Sequence, residues 1–392
     1  MNTKKNYFLS QPHQPFFILG IVNAVVMMLL FALNYKGVLS LHLDALTLHS
    51  YSLIYLVFTN FFTGFLFTTF PRFNQTEVIQ KSYYTKLFYA NAAASLLFVI
   101  ALFLSKELIV VAMLTAFIAH FFIIFKLTAI YKNSQSPDKR DSFWILGANH
   151  LGLFSHLLFI VSLYIPSLLN AAINIAFYLY LIFLAFSVGQ RMIPFFSHSF
   201  AEKSRYFIEI VFALFVLKSL FSTSGLIGIE LIIDIVLALY LFREFYSWQF
   251  HPLESPAILW VLHLALFWLP LAFALSAISL TAEIFLNTSF YFLNIHLLAL
   301  GFLTTVLIGF GTRVTLGHAG MPPQADKFAR NIFFFIQVVV LLRLLYSLNI
   351  AFGWGAEFLF DISFTAWLLL FLLWGGRYAK ILIFGRKLHS TT

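Results

Sequence analysis

Twelve long apolar stretches follow one another along this chain with almost nothing between them. They run over roughly 15–35, 46–70, 83–104, 106–131, 142–164, 166–190, 204–222, 225–246, 256–280, 284–311, 328–350 and 354–380. Each is long enough to cross about 30 Å of hydrocarbon as a helix. Turn residues or charges separate them: Lys36-Gly37, Pro71-Arg72, Ser105-Lys106-Glu107, Ser136-Pro137-Asp138, Ile165-Pro166, and Gly320 to Pro323. The fold expected is all-α, a polytopic transmembrane bundle of about twelve helices. Residues 1–392 form one integral-membrane domain, since no connection is long enough for a soluble one. No internal repeat is evident in the sequence.

Composition agrees. Charged residues are 10% of the chain, against roughly 25% in a soluble domain. Hydrophobic residues are 61%, and mean hydropathy is +0.92. Such a chain has too little polar surface for a soluble enzyme, a nucleic-acid-binding module or a disordered protein; its partner is the lipid bilayer. The net charge of +9 reflects loop charges. If the N-terminus lies on one side, that side's segments hold 20 of the 24 Lys and Arg residues. The other side holds only Lys36 and Lys106, while Lys218 and Arg343 lie within helices. This bias places both termini in the cytoplasm. Lys4 and Lys5 precede a first stretch too long for a signal-peptide core, so it reads as an uncleaved anchor.

Ionisable residues within spans are costly and mark candidate sites. Lys218 and Glu230 fall at similar depth on neighbouring helices and are expected to pair. Asp234 lies deeper with no obvious partner, suited to a proton path or an interhelical hydrogen bond. Arg343 can snorkel outward. There is no cysteine, so thiolate sites and disulfides are excluded and histidine is the best metal ligand available. His120, His150, His156, His263 and His296 sit within predicted helices, with His49 just inside one. His198, His251 and His318 fall in loops. A lone membrane histidine is commonly a packing residue; six in one bundle favour a cofactor.

Spacing adds detail. His49, Ser52, Leu56, Asn60, Thr63 and Phe67 share one helical face. Asn149 and His156 share another, from which His150 points away. Gly301, Thr305 and Gly309 form a small-residue ridge suited to close helix packing. Two segments each end a helix with an arginine: Gly189 to Phe196, containing Arg191, and Gly311 to Gly320, containing Arg313. These arginines suit either acidic cofactor groups or positive-inside anchoring.

At these segments the chain resembles the NnrS family. His13-Gln14-Pro15-Phe16-Phe17 resembles its F-R-P-F-F, with Gln14 in place of Arg. Gly64 to Pro71 resembles G-F-L-L-T-A-V-P, and Arg191 to Phe196 resembles R-V-I-P-F-F. Leu259 to Leu264, with Trp268 to Leu271, resembles L-W-V-L-H-L…W-L-P-L. His296 and Gly301 fit a helix bearing a His and small residues. Thr312 to Gly320 resembles T-R-x-T-L-G-H-x-G. The resemblance implies a twelve-helix membrane protein carrying haem b and copper, linked to nitric oxide and nitrosative stress, in the bacterial cytoplasmic membrane. It implies His263 and His296 as cofactor ligands, Arg191 and Arg313 as cofactor-binding arginines, and His49, His156, His263, His296 and His318 as candidate metal ligands. One departure stands out: the family's W-H-x-H-E is Leu48-His49-Ser50-Tyr51-Ser52 here, which puts copper in doubt.

Three other readings are open. A haem–copper oxidase-type reductase lacks support, because no intramembrane His-Pro-Glu-Val-Tyr or adjacent His-His pair occurs. A cofactor-free twelve-helix transporter or permease fits the helix count. So does an accessory subunit of a larger membrane complex.

Overall fold

The computed structural model describes residues 7–199, 201–250 and 254–385. Lys4, Lys5, His251-Pro252, Arg386 and Lys387 lie outside them. Among the described residues there is no strand, and twelve long helices account for the chain. They are α1 (His13–Tyr35), α2 (Ala45–Phe73), α3 (Lys81–Leu104), α4 (Lys106–Lys132), α5 (Arg140–Ser162), α6 (Pro166–Phe196), α7 (Phe207–Ser224), α8 (Ile227–Ser247), α9 (Ala257–Leu286), α10 (Leu293–His318), α11 (Lys327–Phe352) and α12 (Phe358–Phe384). Eleven are long and apolar enough to span a membrane. The twelfth, α8, has the length but carries Glu230, Asp234, Arg243 and Glu244.

Local chemistry sets the helix ends. Asp44, Ser105 and Asp326 cap α2, α4 and α11 by accepting the backbone N–H three residues on. Gly225 and Gly353 end α7 and α11 in the left-handed region. Gln14, where the sequence resemblance implies an arginine, is buried and accepts from the Ser10 hydroxyl and the Gln11 N–H at 2.9 Å each. An arginine has no acceptor with which to do this.

The largest shift from the sequence expectation is at α10. It starts at Leu293 rather than 284, because Asn287, Tyr291 and Phe292 all have positive φ and so break the helix. At its other end, helix continues through the glycine-rich run to His318. Similarly, α2 and α6 run on through Pro71 and Pro194.

The chain forms two compact units. Unit 1 comprises Met1–Ala176, Val314–Pro322 and Phe371–Thr392, and unit 2 comprises Phe177–Arg313 and Pro323–Leu370. In unit 1, α3 packs on α4 and α4 on α5; in unit 2, α7 packs on α8 and α8 on α9.

A repeat missed in the sequence is visible in the backbone. Every fourth helix contains a π-helical stretch: Ser52–Phe58 in α2, Ile175–Ile182 in α6 and Leu297–Thr304 in α10. These three helices are also the most enclosed of the eleven candidate spans, with 94%, 89% and 78% of an apolar 18-residue stretch buried against at most 61% elsewhere. The step from Ile175 to Leu297 is 122 residues, the same as from Arg191 to Arg313. The step from Ser52 to Ile175 is 123 residues, the same as from Pro71 to Pro194. Tyr51, Asn174 and His296 therefore occupy equivalent positions, each immediately before a π stretch.

π stretches are rare and frequent at functional sites. Their i→i+5 bonding also breaks a face drawn at 3.6-residue spacing. The stripe expected from His49 to Phe67 is therefore not one face, because Ser52–Phe58 lies within it.

Small residues set the closest approaches in unit 2. A Cβ on Gly301 lies 2.5 Å from the Trp268 ring, and one on Gly309 lies 2.7 Å from Leu262. Gly301→Ala should therefore cost about 1–3 kcal/mol through overpacking. Gly147→Ala, where a Cβ meets nothing within 4 Å, should be neutral or stabilising by up to about 1 kcal/mol. Thermal unfolding of the two detergent-solubilised variants measures the contrast.

Candidate functional site

The most enclosed group of ionisable rings lies in unit 1. His156 on α5 and His120 on α4 are both buried, with their Nδ1 atoms 3.3 Å apart. The Tyr51 hydroxyl on α2 lies 2.9 Å from His156 Nε2. The Tyr55 ring stacks on the His156 imidazole at 3.8 Å, and its hydroxyl meets Ser155 Oγ at 2.8 Å. Phe117 and the Tyr51 ring complete the wall, 5.5 and 5.4 Å from the imidazole. The π stretch begins one residue after Tyr51 and contains Tyr55, so the irregular backbone of α2 positions both phenols. Asn149 and His156 are buried and His150 is exposed, in line with helical spacing.

His120 is absent from the set ranked by sequence. Depth is the signal that finds it: it lies twelve residues before the end of α4, and His156 sixteen after the start of α5. Consecutive antiparallel helices bring these positions to similar heights.

The other candidates are dispersed. In unit 1, the half-buried His49 ring packs on Phe31 at 4.2 Å. His318, at the end of α10, lies 4.8 Å ring to ring from buried His13, whose Nδ1 has no hydrogen-bond partner. In unit 2, His263 stacks on Phe250 at 4.4 Å. Its Nε2 lies 2.6 Å from Ser197 Oγ, and its Nδ1 3.5 Å from Ser255 Oγ. His296 is not deep in a helix: it is half-buried, four residues into α10. Its Nδ1 lies 2.8 Å from the Phe292 carbonyl and 3.1 Å from Arg343. Gly309 packs beside Leu262, which sets His263 level with that turn of α10. His296 is thirteen residues away along the same helix, roughly 15–20 Å. His263 and His296 therefore do not form one ligand pair.

Arg191 is half-buried near the end of α6. Arg313 lies over the Phe196 ring at 3.9 Å, which joins the Arg191–Phe196 and Thr312–Gly320 segments. Other segments singled out in the sequence also meet in pairs. The Cβ position of Gly64 is 3.1 Å from His13 Cα. Trp268 packs on Gly301 and donates to Gln337 Oε1 at 2.7 Å. Most of these residues do packing work. Residues 7–386 match the family described as NnrS protein. The chain belongs to the NnrS family. Among curated proteins there is no match.

The haem and copper that the sequence resemblance implies can be tested against these side chains. Among the described residues, no three or more His, Cys, Asp or Glu are grouped to hold a metal. Two imidazoles are. With bonds of about 2.0–2.1 Å, nitrogens 3.3 Å apart subtend about 105–110° at a common ion, near the tetrahedral angle. The rings of His120 and His156, 5.5 Å apart at 42°, are compatible with this. Nitrogen donors suit copper. With an ion on Nδ1, His156 Nε2–H would donate to Tyr51, the outer contact that usually orients a metal-bound histidine. Tyr51, where the sequence resemblance implies a histidine, thus meets His156 through its phenol.

Haem does not fit the same place, because rings enclose His156 and both its nitrogens have protein partners. At His263 it requires the Ser197 hydroxyl to leave Nε2. Tyr51→Phe should leave the fold intact and change the His156 Nε2 resonance in ¹⁵N NMR, while the His263 signals stay in place.

Proposed function

We propose that this NnrS-family chain is a multi-pass protein of the bacterial cytoplasmic membrane that binds nitric oxide or relieves nitrosative stress through a bound metal. Family membership supports the nitric oxide link. The observation that carries the metal reading is the buried His120–His156 pair at chelating separation. In this reading the pair holds one copper ion, with Tyr51 orienting His156. Copper would supply an open coordination position for a small ligand such as nitric oxide. Rings around the pair exclude water, and the Tyr51 hydroxyl is within hydrogen-bond distance of it. Haem b, if bound, would be held by His263 or His296, with Arg191 and Arg313 as candidate partners for its acidic groups.

The test is metal analysis and a reduced-minus-oxidised visible spectrum of the purified protein, with and without nitric oxide. Copper near one per chain, reduced at least tenfold in His120→Ala and His156→Ala, is the expected result. Tyr51→Phe should weaken copper binding roughly 10–100-fold, as removal of an outer-sphere partner does. A haem spectrum that shifts with nitric oxide and is lost in His263→Ala or His296→Ala would establish the haem site. A colourless, metal-free protein from cells supplied with both cofactors sinks the proposal and leaves the permease reading.

A further inference from the structure

Unit 2 contains a second buried ionisable cluster that the metal reading does not use. Lys218 on α7 is fully buried and donates at 2.7 Å to Glu230 Oε1 and at 2.7 Å to Asp234 Oδ2, both on α8. Its pairing with Glu230 follows the sequence expectation. Asp234, which had no obvious partner, is held by the same ammonium. The Ser276 hydroxyl on α9 donates to Asp234 Oδ2 at 2.6 Å. Two carboxylates thus share one ammonium, leaving one negative charge in excess.

Two further atoms bear on that excess. Asp234 Oδ1 is buried with no hydrogen-bond partner, as is the hydroxyl of Tyr178. The Tyr178 ring lies 5.7 Å from Lys218 Nζ. A buried uncompensated charge is expensive, most of all within hydrocarbon. One proton on the cluster cancels it and turns an orphaned acceptor into a donor. Location strengthens the case. Tyr178 lies in the α6 π stretch, 123 residues after Tyr55, which stacks on His156 in the preceding repeat.

We propose that Asp234 and Glu230, with Lys218, Ser276 and Tyr178 around them, form a proton-binding site in the membrane-spanning core, which takes up a single proton carried mainly on Asp234. The site belongs to the protein alone and does not depend on a metal.

Infrared spectroscopy of the full-length protein in lipid nanodiscs at neutral pH tests this. The wild type should show one protonated carboxyl C=O band that shifts in D₂O. Asp234→Asn and Glu230→Gln each bring the charge count to zero, so each should lose that band. Glu230→Gln serves if the other variant fails to fold. Lys218→Met leaves two carboxylates without a cation and should gain a second protonated carboxyl, doubling the band's area. The proposal is overturned if the wild type lacks the band, if both carboxylate variants keep it, or if Lys218→Met leaves its area unchanged. Loss of the band on replacing choline chloride with sodium chloride would show a sodium site instead, and would equally overturn it.

Discussion

A helix buried on all sides within a bilayer gains little from the hydrophobic effect, because lipid tails are as apolar as its neighbours. Close van der Waals packing and hydrogen bonds have to hold it. Helices α2, α6 and α10 live under this constraint. Their small residues, Gly64, Gly301 and Gly309, let neighbours approach to within the reach of a methyl group. Their backbones also depart from regular α geometry. In a π stretch some carbonyls lose their usual partner, and here threonine hydroxyls make up part of the deficit: Thr59 donates to the Ile54 carbonyl and Thr304 to that of Ala299.

Three polar clusters each sit next to one of these helices. Tyr51 and Tyr55 of α2 meet His120 and His156. Tyr178 of α6 faces the Lys218–Asp234 network. His296 of α10 lies beside Arg343. The clusters share their position relative to the π stretch and differ in chemistry. The first offers neutral nitrogens and suits a soft or borderline metal ion; the second offers carboxylates and an ammonium and suits a proton. This division follows from the side chains contributed by the helices that flank each stretch.

Much of the fold was legible in the sequence. Apolar run length fixed the helix count, and residues such as Ser105 and Gly37 marked their ends. The pairing of Lys218 with Glu230 followed from depth along two adjacent helices. What could not be read depended on rotation and on non-α backbone. Periodicity at 3.6 residues assumes regular helix, so it placed His49 and Asn60 on one face across a π stretch. It also gave no reason to join His120 to His156, since each helix was read alone. The start of α10 differs from the apolar pattern because the stretch before Leu293 is apolar enough for helix, while Asn287, Tyr291 and Phe292 take the left-handed backbone conformation. The motifs were legible as motifs, and the structure shows which neighbours several of them pack against: Gly301 against Trp268, Gly64 against His13 and Arg313 over Phe196.

The recurrence of one backbone irregularity at every fourth helix bears on how such a protein changes over time. If the same scaffold slot occurs three times, a substitution in one slot alters the chemistry of that copy and leaves the packing of the other two alone. Tyr51, Asn174 and His296 stand in equivalent slots and already differ. Kinship traced through glycines, tryptophans and prolines therefore follows the shape of the bundle, and two relatives that share that shape are free to part company over what it carries.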